Sequence, residues 1–332
     1  MNDTPYRVGL IGCGRIGTDT DPTGSSRIRC HAESYRACVK TELIAASDPD
    51  PSRLKRAGAR WRIPRLYADH HSLLQKERLD LISLCSPTQT HAEILHELLM
   101  RGECGGVLLE KPVASTLEEA CRLATMAKDS SVVVAVNYGR RFCPVYRRLA
   151  NQVRGGLLGR IQYVHAAYTK GLYNNGTHLI DLLCWFLGEP AEVIGAQAVH
   201  LSGDPTVSFQ LAWEDGALAR VEACDPDSFF LFEVDFVGTT GRLRFTDQGH
   251  QVEYYPLQER TGRLAFHQLV AEPQQEGSGF ADSIRFAVED LIASLEEGRD
   301  PACTLMDGVR ALSWAERIET QAREGCRKLK RE

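Results

Sequence analysis

Short apolar runs alternate with longer segments of helical period over the first part of the chain. The runs are rich in β-branched residues, and five have the length of a strand: Arg7–Ile11, Leu43–Ser47, Leu81–Leu84, Gly106–Leu109 and Val132–Val136. Leu117–Lys128 places apolar residues on one helical face, and Ser115 with Glu118 forms the pattern of a capping box before it. This alternation predicts βαβ units around a doubly wound parallel sheet.

After about Asn137, apolar and polar residues alternate with a period of two. Val207–Trp213 and Ala217–Ala223 flank the turn Glu214-Asp215-Gly216, which predicts an antiparallel hairpin. The same texture predicts strands at Phe230–Val237, Gly241–Thr246 and Gln251–Pro256, and helices at Phe280–Glu296 and Asp307–Gln321. We therefore expect two domains, an α/β domain over 1–136 and an α+β domain over 137–332 with a mostly antiparallel, open-faced sheet.

Composition narrows the choice of partners. Of the 332 residues, 43% are apolar and 25% charged, and the formal net charge is −5, so no basic surface for nucleic acid is expected. The apolar runs are far shorter than the roughly 20 residues of a membrane-spanning helix. Glycines interrupt the stretch Val8–Ile11 before it reaches the length of a signal-peptide core. A cytoplasmic protein without nucleic-acid or membrane partners is the expectation.

The cysteines and paired histidines do not predict a metal site. Eleven cysteines are scattered without C-x-x-C pairs or a zinc-type histidine spacing, which favours reduced thiols that pack as small apolar groups. The pair His70-His71 is interpreted as part of a loop or sheet. No metal is expected.

A glycine-rich motif directly follows the first predicted strand. Its six residues fit G-x-G-x-x-G: Gly12, Cys13, Gly14, Arg15, Ile16 and Gly17. In this position the first glycine permits a tight turn, the second lets the backbone approach a pyrophosphate, and the third lets a following helix pack closely. A helix beginning directly after Gly17 would attract negative charge. Such turns also arise by chance, but the place after a strand predicts a dinucleotide cofactor.

Asp48 ends the second predicted strand. A carboxylate there accepts hydrogen bonds from the adenosine ribose hydroxyls, although an aspartate before Pro49 also fits an ordinary turn. No arginine directly follows Asp48 to pair with a 2′-phosphate, which the carboxylate would repel. NAD is therefore favoured over NADP, with Arg53 as the residue that could still bind such a phosphate.

Glu110, Lys111 and Pro112 follow the fourth predicted strand, and ligands of doubly wound sheets bind at the carboxyl ends of the strands. A lysine near the cofactor serves as an acid or base for a carbinol proton if its surroundings lower its pKa. Taken alone, a lysine at the end of a strand is more often a solvated charge. Pro112 indicates a fixed turn, with a cis peptide as one form.

In the second domain, His178 lies in the first turn of the apolar helix predicted at Leu179–Leu187. A lone histidine in such a segment is more often structural than catalytic. Asn174 is close enough along the chain to reach the same site, and three residues before the helix are candidates to line a substrate pocket: Tyr168, Lys170 and Tyr173. Lys170 would offer a cation to a phosphate or carboxylate.

Taken together in chain order, these motifs resemble the glucose-fructose oxidoreductase, inositol dehydrogenase and MocA family. The similarity rests on the glycine motif, Ser86-Pro87-Thr88-Gln89-Thr90-His91, Glu110-Lys111-Pro112, Arg140-Arg141-Phe142 and Gly176-Thr177-His178-Leu179-Ile180-Asp181, and it extends over nearly the whole chain. It implies cofactor contacts for Ser86, Pro87, Thr88, His91, Glu110, Lys111 and Arg141. For His91, a role in helix capping after Thr90 explains the residue as well as a cofactor contact does.

The resemblance implies oxidation of a secondary hydroxyl of a sugar or polyol, or reduction of the matching ketone, with hydride exchanged with nicotinamide. Lys111 matches the lysine that bonds the reacting hydroxyl, and His178 matches the active-site histidine. Asn174 departs from the aspartate of many members and cannot take a proton, and its presence in relatives acting on nucleotide sugars favours an activated sugar. The resemblance also implies a homodimer or homotetramer formed through the second sheet.

Two other functions fit the same residues. A sensor or regulatory protein would keep the fold and cofactor without catalysis, which Asn174 favours and the retained Lys111 and His178 oppose. A reductase of small non-sugar carbonyls or imines would require a pocket lined by apolar groups.

Overall fold

A computed structural model describes residues 4–18, 30–225, 227, 229–258 and 267–329. The chain forms two compact units, one of Met1–Phe142 with Ala281–Arg310, the other of Cys143–Phe280 with Ala311–Glu332. The division therefore differs from the predicted boundary at residue 136, and the segment 281–310 belongs with the first unit. Its helix packs against the parallel sheet so closely that a Cβ on Gly106 would lie 3.0 Å from Leu291 Cδ1.

The first unit is built on a six-stranded parallel sheet with the order β3-β2-β1-β4-β5-β6. The strands are β1 Tyr6–Ile11, β2 Thr41–Ser47, β3 Arg65–Tyr67, β4 Leu81–Leu84, β5 Gly106–Leu109 and β6 Val133–Val136. The doubly wound parallel sheet is thus confirmed, and every predicted strand is present. Strand β3 was missed because it is a three-residue edge strand with no buried residue and no alternation to detect.

The helices in chain order are α1 His31–Ala37, α2 Pro51–Trp61, α3 His70–Lys76, α4 Thr88–Arg101, α5 Leu117–Lys128, α6 Pro144–Arg154, α7 Thr177–Leu187, α8 Ser283–Glu297 and α9 Leu305–Leu329. Helix α5 has the predicted bounds. Its capping box lies one residue later than expected, between Thr116 and Glu119, where two 3.2 Å hydrogen bonds satisfy both backbone amides. Among the helices of the described residues, none is long and apolar enough to cross a membrane.

An eight-stranded sheet forms the second unit, with the order β14-β13-β12-β11-β7-β10-β9-β8. Its strands are β7 Ile161–Tyr168, β8 Glu192–His200, β9 Thr206–Ala212, β10 Leu218–Ala223, β11 Phe232–Gly238, β12 Gly241–Thr246, β13 Gln251–Pro256 and β14 Gln274–Gly277. The β7/β10 pair is parallel and the other pairs are antiparallel, which confirms a mostly antiparallel sheet.

Helices cover one face of this sheet, and the other face carries charged side chains. On the covered face, Phe186 of α7 stacks on Phe236 with ring centroids 5.2 Å apart, and Phe245 stacks on Tyr146 of α6 at 4.6 Å. On the outer face, Arg242 pairs with Asp235, and Arg244 pairs with Glu253 across adjacent strands. The outer face therefore carries ion pairs.

Candidate active site

The glycine motif forms a turn between β1 and the start of α1. Gly12 has φ +97°, and a Cβ there would lie 2.6 Å from the backbone of Cys85 and Ser86. A Cβ on Gly17 would lie far closer to the Gly12 carbonyl oxygen than van der Waals contact allows. A Cβ on Gly14 would meet no atom of the described residues within 4 Å. Gly12 and Gly17 thus serve close packing, while the backbone at Gly14 is open to a ligand, as a bound pyrophosphate requires.

The first helix that the structure describes after this turn is α1. Gly14 to Thr18 form a turn closed by the Thr18 N–H to the Gly14 carbonyl at 2.9 Å, and α1 starts only at His31. Nevertheless, the amides of His31 and Ala32 donate to the carbonyls of Ile16 and Gly17 at 3.0 and 2.9 Å. Helix α1 therefore follows the glycine turn in space although residues 19–29 separate them in sequence.

Asp48 ties the end of β2 to the glycine turn. Its Oδ2 accepts the Cys13 N–H and its Oδ1 accepts the Asp50 N–H, both at 2.8 Å, and the residue is 4% exposed. Both interpretations of Asp48 fit this position, because its side chain forms a turn with Asp50 and also lies beside the glycine motif. Bonds from Asp48 to a ribose stay a prediction. Arg53, the residue considered for a 2′-phosphate, is paired with Asp50 at 3.2 Å.

The segment of Lys111 is held by a buried histidine. The Lys111–Pro112 peptide is cis, and Lys111 is half-buried. His91 is 1% exposed, with its Nδ1 2.8 Å from the Pro112 carbonyl and its Nε2 2.8 Å from the Ser86 carbonyl. Burial lowers the pKa of this imidazole. His91 therefore links the β4–α4 loop, which includes Ser86, Pro87 and Thr88, to the lysine segment. It does not cap α4, and its contact with a cofactor stays a prediction.

Glu110 is the centre of a buried polar network. Its Oε1 lies 2.9 Å from His31 Nε2 and accepts the Asn137 Nδ2–H at 2.7 Å, while His31 Nδ1 and Tyr35 OH each lie 2.8 Å from Ser83 Oγ. Burial alone would raise the pKa of Glu110, but the hydrogen bond and charge of His31, the amide of Asn137 and the charge of Lys111 together lower it. The buried carboxylate therefore holds Glu110, the residue before Lys111, in place.

Arg141 lies in a short 3₁₀ turn, Gly139–Phe142, after β6 and is 5% exposed. Its guanidinium lies 3.1 Å from Asp307 Oδ1. Burial alone would raise the pKa of Asp307, but Arg141, the bonds from Thr304 and the charge of Arg310 lower it. An ion pair within the first unit is thus an established role for Arg141, and its cofactor contact stays a prediction.

In the second unit, one π-helical turn, Leu172–Gly176, leads into α7 and carries Asn174, and His178 lies in the first turn of α7 as predicted. Turns of this kind are common at functional sites. Asp204, in the β8–β9 connection, accepts the backbone N–H groups of Tyr173 and Asn174 at 2.8 Å each. A Cβ on Gly171 would collide with Asp204, so the turn packs directly on this carboxylate.

The side chains around this turn have different surroundings. Asn174 and Lys170 are exposed and His178 is half-buried. Tyr173 OH donates to Glu319 Oε2 at 2.5 Å, and this hydrogen bond and burial raise the Tyr173 pKa. Tyr168 was expected to line the substrate pocket, but it is fully buried and its hydroxyl donates to the Val207 carbonyl at 2.8 Å. That expectation is wrong because the inward face of β7 places Tyr168 in the core.

Sequence reasoning missed the residues that hold the predicted ones in place. His31, Asn137 and Asp204 each act on a site residue that is distant in the chain. A histidine on the buried face of α1 gives no motif, and an aspartate in a hairpin connection looks like any other turn residue. Only the folded contacts identify them.

Comparison with known proteins assigns this arrangement to a class and a family. Residues 6–138 match an oxidoreductase family domain with an NAD-binding Rossmann fold, and residues 169–330 match the C-terminal alpha/beta domain of the same family. The protein is an NAD(P)-dependent oxidoreductase. It belongs to the glucose-fructose oxidoreductase, inositol dehydrogenase and MocA family.

Individual relatives are distant but similar in length. The myo-inositol 2-dehydrogenase of Thermotoga maritima is 23% identical over 331 residues, which cover 92% of this chain and 93% of that protein. A structure of levoglucosan dehydrogenase with NADH and levoglucosan has a TM-score of 0.80 at 17% identity and covers 97% of this chain and 98% of the other. The WlbA dehydrogenase of Bordetella pertussis, with NADH and UDP-GlcNAcA, has a TM-score of 0.75 at 20% identity and 97% coverage of both chains. These structures share the fold.

The two roles of the glycine turn are separable by substitution. We expect Gly17→Ala to destabilise the protein by about 1–3 kcal/mol, because the new methyl group has no room beside Gly12. Gly14→Ala should leave stability nearly unchanged and weaken NADH binding by about tenfold or more, which corresponds to ~1.4 kcal/mol. Urea denaturation and NADH fluorescence titration measure the two effects. Full NADH affinity in folded Gly14→Ala would contradict the assignment.

The Glu110 network predicts a pH-dependent stability. Because the folded-state pKa is lowered, Glu110 stabilises the fold above its unfolded-state pKa, and this contribution disappears as the pH falls through the folded pKa. Glu110→Gln should be less stable than the wild type by about 1–2 kcal/mol at neutral pH, and the difference should shrink below about pH 4. Urea denaturation across this range tests it, with Glu118→Gln, an exposed glutamate of α5, as the control. A difference that does not change with pH would exclude the carboxylate as its source.

Proposed function

We propose that the protein oxidises a secondary hydroxyl of a sugar or polyol, or reduces the corresponding ketone, and that NAD is its preferred cofactor. The observation that carries the proposal is the alignment of three elements at one sheet edge. The open glycine turn follows β1, the Ser86 loop follows β4, and Lys111 follows β5, and these strands are neighbours in the order β1-β4-β5. The carboxyl edge of such a sheet is where dinucleotides and their substrates bind.

Within this proposal, the glycine turn, including Arg15 and Ile16, and the Ser86-Pro87-Thr88 loop hold the cofactor, with Asp48 near the ribose and Arg141 nearby. Bound NAD supplies the hydride acceptor. Lys111 hydrogen-bonds the reacting hydroxyl and moves its proton, and the cis peptide and His91 fix its backbone. Glu110 acts by positioning Lys111. The preference for NAD rests on the carboxylate of Asp48, which disfavours a 2′-phosphate beside it.

The second unit supplies the remaining groups. His178 shares the proton transfer with Lys111, a role that follows from the family resemblance. Asn174, exposed on the π-helical turn, orients a substrate hydroxyl without taking a proton. Tyr173 and Lys170 belong to the same segment, and Lys170 offers a positive charge to an anionic substrate.

The relatives indicate the class of substrate, and experiment decides between free sugars or polyols and activated sugars. The Thermotoga protein is named for an inositol, levoglucosan is a sugar, and UDP-GlcNAcA is a nucleotide sugar. Asn174 and the cation of Lys170 favour a nucleotide-linked or otherwise activated sugar. A non-catalytic sensor is the second candidate, because Asn174 replaces a carboxylate. We place the protein in the cytoplasm, because its eleven scattered cysteines favour reduced thiols.

Substitution of Lys111 tests catalysis separately from cofactor binding. Lys111→Met should reduce turnover about 10²–10⁴-fold, because the group that moves the proton is lost, and should leave NADH affinity nearly unchanged. Activity is measured as NAD⁺ reduction in a panel of nucleotide sugars, free sugars and inositols. Lys55→Met, an exposed lysine of α2, is the matched control. Substantial activity in Lys111→Met would refute its role, whereas NADH binding by the wild type without turnover on any substrate would favour the sensor.

We also propose that the protein is a homodimer or homotetramer through the outer face of the second sheet. Tyr163 of β7 and Leu218 of β10 are 49% and 46% exposed, and each directly precedes one of the paired, buried residues Val164 and Ala219, so both face the outer side of the sheet. Leu218→Glu should shift the mass measured by light scattering toward the monomer, while Val39→Glu, at an exposed position of the first unit, should not. A monomeric wild type at micromolar concentration would contradict the proposal.

A further inference from the structure

Three metal-ligating side chains meet outside the candidate active site. His70 and His71 begin α3, and Glu97 lies in the third turn of α4. Glu97 Oε2 lies 2.8 Å from His71 Nδ1 and 3.4 Å from His70 Nε2. All three ligand atoms lie within 4.8 Å of one another, and the two imidazole rings are 4.0 Å apart. The pair predicted to be loop or sheet is thus the start of a helix that faces α4.

Two of the three ligand separations in this cluster are close to those of a tetrahedral site. Two imidazole nitrogens and one carboxylate oxygen form a common ligand set for zinc, and water takes the fourth position. With metal–ligand distances of about 2.0–2.1 Å, tetrahedral ligand atoms lie about 3.3 Å apart. The distances of 2.8 and 3.4 Å bracket this value. His71 has a 55% exposed side chain, so its ring can adjust without disturbing the core.

His70 supplies an independent reason to expect a ligand. Its side chain is 17% exposed, and its buried Nε2 forms no hydrogen bond with any of the described residues; the 3.4 Å approach to Glu97 Oε2 is an ion-pair contact. A buried polar nitrogen without a bond costs free energy that a metal ion would recover.

The charged groups nearby leave the cluster open to a cation. Arg101 contacts Glu97 through the other carboxylate oxygen, at 3.5 Å from Oε1, and leaves Oε2 to the histidines. Asp69 is occupied with the amide of Ser72 at the start of α3. Glu93 adds negative potential one helical turn before Glu97. Apart from the two histidines, Arg101 is the cation that a described ion pair places against the cluster.

We propose that His70, His71 and Glu97 bind one Zn²⁺ ion, with water as the fourth ligand, and that the ion links the N-terminus of α3 to α4. The site is separate from Lys111 and His178 and does not depend on the proposed reaction. It also explains why the sequence shows no zinc pattern: the ligands come from two helices that only the fold brings together.

Titration of the chelator-treated full chain with Zn²⁺ in a calorimeter tests the proposal. Wild type should bind one equivalent near pH 7.5, and zinc should raise its thermal midpoint. His71→Asn and Glu97→Gln should weaken binding at least about tenfold, since loss of even an outer-shell partner costs 10–100-fold. His96→Asn is the control, because His96 is exposed on α4 next to Glu97 but outside the cluster. Wild-type affinity in His71→Asn, an exposed position that folding tolerates, overturns the proposal.

Cobalt distinguishes this site from the cysteines, which also bind zinc. Co²⁺ at the His70-His71-Glu97 cluster should give the visible bands of tetrahedral cobalt without the strong near-ultraviolet thiolate absorption. Binding should weaken as the pH falls, because protonated imidazole cannot bind a metal ion. A thiolate spectrum, or binding that persists at pH 5, overturns the proposal. An unchanged Lys111-dependent activity in these variants is compatible with it, because the two sites are separate.

Discussion

The first unit depends on one buried carboxylate. Glu110 at the end of β5 is bonded to His31 of α1 and Asn137 after β6, and His31 continues through Ser83 to β4. Four elements around the sheet edge are therefore fixed by one polar network. A half-satisfied network in this environment would be costly, because burial penalises each unpaired charge or dipole. The position of Lys111, the next residue, follows from that constraint.

A second constraint is the lack of space beside the glycine turn. Gly12 and Gly17 bring backbone segments closer than any side chain allows, whereas Gly14 leaves its surroundings open. The same motif thus combines two packing positions with one binding position. In the second unit, Asp204 plays a comparable structural part, because it holds the backbone of the π-helical turn before His178. Both units place their candidate chemistry on irregular backbone that buried or hydrogen-bonded groups stabilise.

The comparison of prediction and structure shows where local patterns are sufficient. Leu81–Leu84, Gly106–Leu109 and Leu117–Lys128 have the expected bounds, because continuous apolar runs and one-sided helical periodicity reflect burial directly. Strand β3 was missed, because a short edge strand produces no periodic signal. Tyr168 was misplaced because sequence proximity to His178 does not reveal which face of β7 points inward.

By itself the sequence determined the parallel and antiparallel sheets, the cofactor class, and the family, since these follow from periodicity and from motifs whose residues are adjacent in the chain. The tertiary structure alone decided which side chains are available for chemistry. It placed Tyr168, His91 and Glu110 inside the protein, assigned residues 281–310 to the first unit, and brought His70 and His71 to Glu97. These outcomes depend on contacts between residues distant in the chain, and such contacts are set by packing of the whole unit.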